Sequence, residues 1–237
     1  MTQNDYGILN HVEMKDGEVQ KTYDGNLRCL LTVNNPVLLG HLRPFTNGEQ
    51  RKNREQAVLS YLDRQDVDCV PQYLGSNADS ITMGRIEGEN LESVLRTETN
   101  TERVRKLVRN SARSLREIHE TGIYHADSIP KNAIANAEDD VYFIDFEHRY
   151  KPKYAQYGES LDALAFVFRT SVLRDDLPLS EIRREFESEY GQIDTKCLES
   201  LAVRTGLLKF ASQKAMLKSL LRYRGFKREF MKRNKSN

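Results

Sequence analysis

Hydrophobic and polar positions alternate with a period of two near the start of the chain. Two alternating stretches, 8–14 and 18–23, flank Asp16-Gly17, a dipeptide typical of a tight hairpin turn. Two further short apolar stretches, 70–75 and 80–83, read as strands. The pattern therefore predicts a small antiparallel sheet in the first third of the chain.

A helix that carries a charged residue on its apolar face is predicted over 49–62. Glu55 falls on the same face as Val58, Leu59 and Leu62. If this glutamate is buried, it needs a cationic partner. The alternative is an exposed glutamate in a stretch that is rich in charged residues.

Longer helices are predicted in the rest of the chain. One begins at a capping box, Thr99-x-x-Glu102, and ends at Gly122. Its apolar stripe consists of Val104, Leu107, Val108, Ala112, Leu115 and Ile118. Further helices are predicted at 161–168, 182–190 and 207–223. The first of these three is apolar nearly all round, so we expect it to be central and buried.

Length and composition exclude several classes of protein. A chain of 237 residues suits one large domain or two small lobes, and a net charge of +1 gives no overall attraction to nucleic acid. Three widely spaced cysteines argue against a zinc site or a disulfide framework. With no long uncharged apolar run and a polar start, we expect neither a signal peptide nor a membrane span, and a cytoplasmic location.

Two acidic turns in the middle of the chain carry the candidate chemistry. In the first, His125-Ala126-Asp127 is followed five residues after the aspartate by Asn132. In the second, Asp145 ends the apolar strand 141–144 and would emerge from a sheet edge into a cleft. Carboxylate and amide oxygens that converge in this way suit Mg²⁺ and a nucleotide triphosphate. The remaining aspartate can accept the proton of an attacking hydroxyl.

His-x-Asp-x-x-x-x-Asn followed by apolar-Ile-Asp-Phe resembles the catalytic and metal loops of the protein-kinase-like fold. The resemblance implies an α+β, bilobal protein: a small antiparallel-sheet N-lobe with one helix, 1–87, and a mainly helical C-lobe, 88–237. It also implies ATP and Mg²⁺ as cofactors, with Asp127 as the catalytic base and with Asn132 and Asp145 as metal ligands.

The same resemblance assigns residues to the nucleotide site. Val19 matches an apolar residue that lies on the adenine, and Lys21 matches the lysine that pairs with the α- and β-phosphates. Glu55 matches the helix glutamate that pairs with this lysine. A solvent-facing Lys21 is the alternative, and Lys15, next to the turn, is its rival for the role.

Further positions follow from the resemblance. Ile86 and Glu87 match the hinge between lobes, where backbone groups meet the adenine edge, although a plain loop is the alternative. Lys131 matches a basic residue that stabilises charge on the moving phosphoryl group, unless it is simply solvent-exposed. Asp162 matches the aspartate that anchors the catalytic loop, or is an ordinary acid at a helix start. We expect His125 to brace the loop.

The sequence departs from the kinase pattern in three respects. No Gly-x-Gly-x-x-Gly precedes Lys21, so the phosphate-covering loop is short, unusual or missing. Glu147 replaces the usual glycine after Asp-Phe, which makes a flip of the metal loop less easy. Asp162 follows Asp145 by only 17 positions, which leaves little room for an activation segment or a peptide-docking platform.

The end of the chain is basic. Residues 218–237 carry a net charge of +7 and leave −6 for the rest, which suggests an RNA or protein partner at this tail. A solvated terminus is the alternative. The tail, the short N-lobe and the Ile-Glu-Gly hinge resemble the small kinase subunit of the KEOPS complex, which acts in tRNA threonylcarbamoyl-adenosine synthesis. RIO-like and lipopolysaccharide-kinase-like small kinases are similar in type.

Three functions fit these features. The first is an ATP- and Mg²⁺-dependent phosphotransferase of the atypical serine/threonine protein-kinase-like group, or an ATPase within a tRNA-modification-type complex. The second is a small-molecule kinase of the aminoglycoside, choline or sugar kinase type, which Glu147 and the short activation segment favour. The third is a pseudokinase adaptor that binds through its basic tail; the filled key polar positions disfavour it. The hydroxyl acceptor does not follow from the fold.

Overall fold

The computed structural model describes residues 10–23 and 47–194, and they form an α+β architecture. A small antiparallel sheet packs with one helix, and most of the remaining elements are helices. The fold class predicted from the sequence is therefore confirmed. The helix predicted at 207–223 and the basic tail, 218–237, lie outside the described residues.

Four strands make the first sheet, in the order β1-β2-β4-β3, with every neighbouring pair antiparallel. The strands are β1 (Asn10–Lys15), β2 (Glu18–Tyr23), β3 (Tyr73–Ser76) and β4 (Ser80–Gly84). Asp16 and Gly17 have φ values of 48° and 83° between β1 and β2, as the tight hairpin turn requires. The strand predicted from residue 70 was wrong at its start, since β3 begins only after Pro71, which has no N–H to donate.

One helix, α1 (Gly48–Asp63), accompanies this sheet. The Asn47 side chain caps it by accepting a hydrogen bond from the Gln50 N–H at 2.9 Å. Glu55, Val58, Leu59 and Leu62 are all buried, so the predicted face is confirmed. Arg51 and Lys52 are buried as well, which the sequence pattern did not predict.

The helices α2 (Leu91–Thr97) and α3 (Thr101–Glu120) follow. The predicted capping box was wrong by one position: the Asn100 side chain, rather than Thr99, caps α3 by accepting from the Glu102 and Arg103 N–H groups. Asparagine is the better capping residue, so it sets the boundary. Gly122, at φ 81°, ends the helix as predicted, with its N–H bonded to the His119 carbonyl.

A second sheet and two more helices complete the described chain. The sheet consists of β5 (Glu89–Asn90), β6 (Ala133–Ala135) and β7 (Val141–Phe143). The helices are α4 (Gly158–Leu173) and α5 (Leu179–Tyr190). Residues 161–168 of α4 are buried without exception, as predicted for a central helix. Phe166 of α4 packs on Phe186 of α5, with ring centroids 5.5 Å apart.

Several contacts join the first sheet and α1 to the helical part, and two of them are made by the backbone alone. The chain passes from β4 to β5 through residues 85–88, where the Arg85 N–H bonds to the Gly17 carbonyl. A Cβ on Gly88 would lie 2.3 Å from the Ala135 carbonyl oxygen, so only glycine fits this crossing. The second connection is a hydrogen bond of 2.9 Å from the Phe143 N–H of β7 to the Cys69 carbonyl. Among the helices described, none is long and apolar enough to cross a membrane.

Candidate active site

Lys21 and Glu55 meet between β2 and α1. On β2, Val19, Lys21 and Tyr23 share one face, and Lys21 is buried there. Its Nζ lies 2.6 Å from Glu55 Oε2. The Tyr23 hydroxyl also donates to Glu55 Oε2, so the glutamate has two partners from the same strand. The buried glutamate thus has the cationic partner that its position on α1 requires.

The second partner of Lys21 is Asp145. Asp145 follows β7 with a φ of 72°, and its Oδ1 lies 2.6 Å from Lys21 Nζ. Burial alone would lower the pKa of Lys21, but the carboxylates of Asp145 and Glu55 hold it well above its usual value. Burial alone would raise the pKa of Asp145, but the lysine lowers it to about 2. This lysine–aspartate pair is therefore charged at neutral pH.

Asp127 and Asn132 face each other across a short turn. The Asn132 side-chain amide donates to Asp127 Oδ2 at 2.8 Å and to the Asp127 carbonyl at 2.9 Å. Asn132 ends a 3₁₀ turn, Pro130–Asn132, and its carbonyl accepts from the Ile144 N–H. That bond places the Asp127 turn directly beside Asp145. The structure thus brings the two predicted acids and the amide to one region.

The carboxylate of Asp162, at the start of α4, anchors this turn. It accepts hydrogen bonds from the backbone N–H groups of His125, at 2.7 Å, and Ala126, at 2.9 Å. The Tyr150 hydroxyl donates to it at 2.7 Å, and His119 Nε2 lies 3.1 Å away. Burial alone would raise the pKa of Asp162, but these partners, above all His119, hold the pKa below its usual value. The turn is thereby fixed to the central helix.

Burial sets the protonation states within the turn. It raises the pKa of Asp127 to about 6, against the opposing effect of His148. It lowers the pKa of His125 to about 4, so this imidazole is neutral at physiological pH. His125 Nε2 lies 2.9 Å from the Ile144 carbonyl, and its ring packs on Phe146. The histidine braces the two loops against each other, as the sequence analysis expected.

Two further charged residues reach the site, and the sequence analysis did not assign them to it. Glu147 is buried, and its Oε2 lies 3.6 Å from Lys21 Nζ and 3.3 Å from Arg51 Nη1. Arg51 is 2% exposed. The signal in the sequence was its spacing: Arg51 precedes Glu55 by four residues and so lies on the same helix face.

The remaining predicted site residues lie around this cluster. Val19 is half-buried and pairs in register with Met83 of β4. Ile86 and Glu87 line a cavity of about 390 Å³, together with Tyr142, whereas Lys21 and Asp145 do not line it. Lys131 is exposed, and its side chain forms no ion pair within the described part of the chain. The role of Lys131 in stabilising the moving phosphoryl group stays a prediction.

Comparison with known proteins adds a likeness at the level of structure alone. No family model matches the sequence, and no curated protein matches it. Three solved structures of WbdD resemble the chain. A co-crystal structure of WbdD with the kinase inhibitor LY294002 has a TM-score of 0.47 and 18% identity, over 79% of this chain and 45% of that one.

The other two WbdD structures give similar values. A high-resolution structure has a TM-score of 0.46 and 18% identity, over 86% of this chain and 50% of WbdD. A structure described as the bifunctional kinase-methyltransferase WbdD has a TM-score of 0.43 and 17% identity, over 83% and 47%. The chain spans about half the length of the WbdD chains that it matches.

The oxygen atoms at the site suit a hard divalent cation. Glu55, Asp145 and Glu147 each place a carboxylate oxygen within 4.8 Å of the others, but Lys21 contacts all three. The second carboxylate oxygen of Asp145 and the amide oxygen of Asn132 are not engaged by this lysine and could serve as metal ligands. Mg²⁺ takes one or two carboxylates and completes its shell with waters and phosphate oxygens. The residues present therefore fit Mg²⁺.

Proposed function

We propose that the protein is a kinase-like phosphotransferase, which moves the γ-phosphate of ATP to a hydroxyl group with Mg²⁺ as cofactor. The observation that carries the proposal is the position of Lys21, 2.6 Å from both Glu55 and Asp145. In kinases a strand lysine paired with a helix glutamate aligns the phosphates, and the aspartate of the Asp-Phe motif, here Asp145, holds the metal. Both partners meet one lysine here.

Lys21, Asp145 and Asn132 form the binding half of the proposed site. Lys21 contacts the α- and β-phosphates, and Glu55 holds its ammonium in place. Asp145 and Asn132 would hold Mg²⁺, which would offset the negative charge of the phosphates. Val19 and the stretch around Ile86 and Glu87 border the base; of these three, Ile86 and Glu87 line a cavity of about 390 Å³.

Asp127 is the proposed catalytic base. The acceptor hydroxyl gives its proton to the Asp127 carboxylate as its oxygen bonds to the γ-phosphorus. The bond from that phosphorus to the bridging oxygen breaks, and ADP leaves with the electron pair. A pKa of about 6 suits this role, because the group is ionised at neutral pH and still basic enough to take a proton. Asn132 orients the carboxylate by its hydrogen bond.

A small-molecule acceptor is the second candidate. The segment between Asp145 and α4 is short, and half of it is a 3₁₀ helix, Pro152–Tyr157, that leads directly into α4. Protein kinases dock their peptides on a longer segment at this place. The short segment favours an acceptor small enough to enter the cleft without such a platform.

The test is transfer of label from [γ-³²P]ATP with Mg²⁺, first to a generic protein and then to a cell extract that includes metabolites. Asp127→Asn keeps the shape of the side chain and removes the base. Asp63→Asn, an exposed acid at the end of α1, is the matched control. We expect transfer to fall by roughly 100-fold or more in Asp127→Asn and to stay unchanged in Asp63→Asn.

The labelled product separates the candidate functions. Label on a protein supports a protein kinase, and label confined to a metabolite supports a small-molecule kinase. Release of inorganic phosphate alone, lost in Asp127→Asn, supports an ATPase. If the wild-type protein neither turns over nor binds ATP, the phosphotransferase proposal is wrong and the adaptor hypothesis takes its place.

A further inference from the structure

Arg51 and Glu147 form a buried ion pair that the proposed transfer does not itself require. Arg51 lies on α1, and Glu147 follows Asp145 by two residues. They are 2% and 3% exposed. Arg51 Nη1 lies 3.3 Å from Glu147 Oε2 and 3.5 Å from Oε1. One helix of the sheet part thus reaches the loop that carries the proposed metal ligand.

Asn10 bridges this ion pair. Its amide oxygen accepts from Arg51 Nη1 at 2.7 Å, and its amide nitrogen donates to Glu147 Oε2 at 3.0 Å. The amide oxygen of Asn10 therefore faces the positive guanidinium, and its amide nitrogen faces the negative carboxylate. Since Asn10 belongs to β1, three separate parts of the chain meet at this point.

The same helix makes further contacts with the loops, one turn along. Arg54 Nη2 donates to the Tyr124 carbonyl at 3.3 Å, and Arg54 Nε donates to the His148 carbonyl at 3.4 Å. Glu55, the next residue, holds Lys21. The helix α1 is thereby fastened to β2, to the residue before the His125 turn and to the segment after Asp145.

A contribution to the stability of the fold does not by itself explain why a buried ion pair is present here. Removal of two charges from water offsets most of their attraction, and hydrophobic residues of similar size often serve as well. Arg51 Nη1 faces both Glu147 oxygens and also donates to Asn10, so the ion pair and the Asn10 amide together fix the direction of the Glu147 side chain. Residues that orient a metal ligand in this way usually affect metal affinity.

We propose that Glu147 is a positioning residue which, held by Arg51, locks α1 onto the loop of Asp145. The lock keeps Glu55, Lys21 and Asp145 aligned before the nucleotide binds. The site is then assembled in the unmodified chain, with no need for phosphorylation of the segment that leads to α4. Its effect on catalysis rests on the proposed function, whereas the lock itself does not.

The first test is hydrogen–deuterium exchange on the full chain without metal or nucleotide. The site variant is Arg51→Met/Glu147→Met, which removes both charges and leaves neither buried alone. The matched control is Arg183→Met/Glu187→Met, an ion pair of 2.8 Å on α5 with a buried arginine. We expect amide exchange at 48–63 and 145–150 to rise at least about tenfold in the site variant only.

Glu147→Gln guards against a purely structural effect. It keeps the side-chain volume but leaves the Arg51 charge buried without its counterion, so exchange at 145–150 should rise, and the rise cannot come from lost volume. Each variant is first shown to unfold cooperatively in urea. If exchange at 145–150 is unchanged in Arg51→Met/Glu147→Met, no lock exists and the proposal is overturned.

The second test is the Mg²⁺ concentration that gives half-maximal ATP turnover in phosphatase-treated protein. We expect it to rise roughly 10–100-fold in the site variant and to stay unchanged in the α5 control. Faster exchange with an unchanged Mg²⁺ requirement would overturn the positioning role. Absence of turnover in the wild type would count against the proposed function, and the exchange experiment would still decide whether the lock exists.

Discussion

Lys21 is surrounded by carboxylates, so a substitution that removes its ammonium group leaves these carboxylates without their cation. Glu55, Asp145 and Glu147 all lie within 3.6 Å of its Nζ. Without the ammonium, buried negative charges would face one another. Burial already raises the pKa of Glu55, so this glutamate would take up a proton. The site would then lose both its phosphate contact and its alignment.

We therefore expect Lys21→Met to lower kcat/KM for ATP by roughly 100-fold or more, since one lost phosphate-stabilising cation typically costs this much. Lys15→Met, an exposed lysine on the same hairpin, should leave kcat/KM unchanged. Steady-state kinetics of both variants measure the difference. Equal losses in the two, or none in Lys21→Met, would contradict the assignment of Lys21 to the phosphates.

His125 predicts a pH dependence of stability. Its pKa is about 4 in the folded protein and about 6.5 when unfolded. Between these values the unfolded chain binds a proton that the folded chain does not, so stability falls as the pH falls through this window. From about pH 7 to about pH 5 the loss amounts to about 2 kcal/mol.

Urea unfolding of the wild type and of His125→Gln at both pH values measures the loss that is due to His125, as the difference between the losses of the two proteins. Asp127 works in the opposite sense, because its raised pKa lets the folded protein bind a proton first. Both proteins contain Asp127, so its effect cancels in the comparison. The wild type should lose about 2 kcal/mol more than His125→Gln on acidification. Equal losses would mean that His125 is not held neutral in the folded chain.

The sequence was informative where function depends on spacing. The intervals from His125 to Asp127, Asn132 and Asp145 predicted which side chains would converge, and the structure brings them together. Arg51 and Glu147 were harder to foresee, because a charged residue is buried only if its partner comes from a distant part of the chain. Glu147 was noticed only as a missing glycine.

At the scale of elements, α4 holds the Asp127 turn mainly through the side chain of Asp162. The Asp162 carboxylate accepts from two consecutive backbone N–H groups, for which the described residues provide no other partner. The apolar pattern of 161–168 predicted a buried helix, and an acid at its start was open to two explanations. The contacts with the turn favour the anchoring role over a simple helix-start acid.

Asp162→Asn should destabilise the protein by about 3–5 kcal/mol, because an amide cannot accept from every donor and its own N–H₂ would face them. Glu159→Gln, at an exposed position in the first turn of the same helix, is the control and should cost less than about 0.5 kcal/mol. Urea unfolding at neutral pH gives both values. A cost for Asp162→Asn as small as that of the control would show that the turn holds its shape without α4.

At the scale of the whole molecule, the proposed ligand joins the two parts of the chain. ATP would contact Lys21 on the first sheet and, through Mg²⁺, Asp145 beyond the second. A ligand that binds only the folded state adds to its stability according to its concentration. Binding should therefore appear as stabilisation of the entire fold.

With ATP and Mg²⁺ at about 100 times the dissociation constant, the free energy of unfolding should rise by about 2.7 kcal/mol. The increase should largely vanish when the metal is chelated, and in Asp145→Asn. Asp140→Asn, an exposed acid in the turn before β7, should keep it. Chemical denaturation with and without nucleotide measures the effect. A full increase in Asp145→Asn would exclude Asp145 as the metal ligand.

The hydrogen bond from the Phe143 N–H to the Cys69 carbonyl bears on how products escape. Together with the covalent crossing at residues 85–88, it joins the two parts of the chain through the backbone, while Arg51, Arg54 and Tyr61 of α1 join them through side chains. A wide opening of the cleft would have to break these side-chain contacts of α1. Arg51 and Glu147 would then separate, and the rate of ADP release would be limited by the breaking of this ion pair rather than by the chemical step.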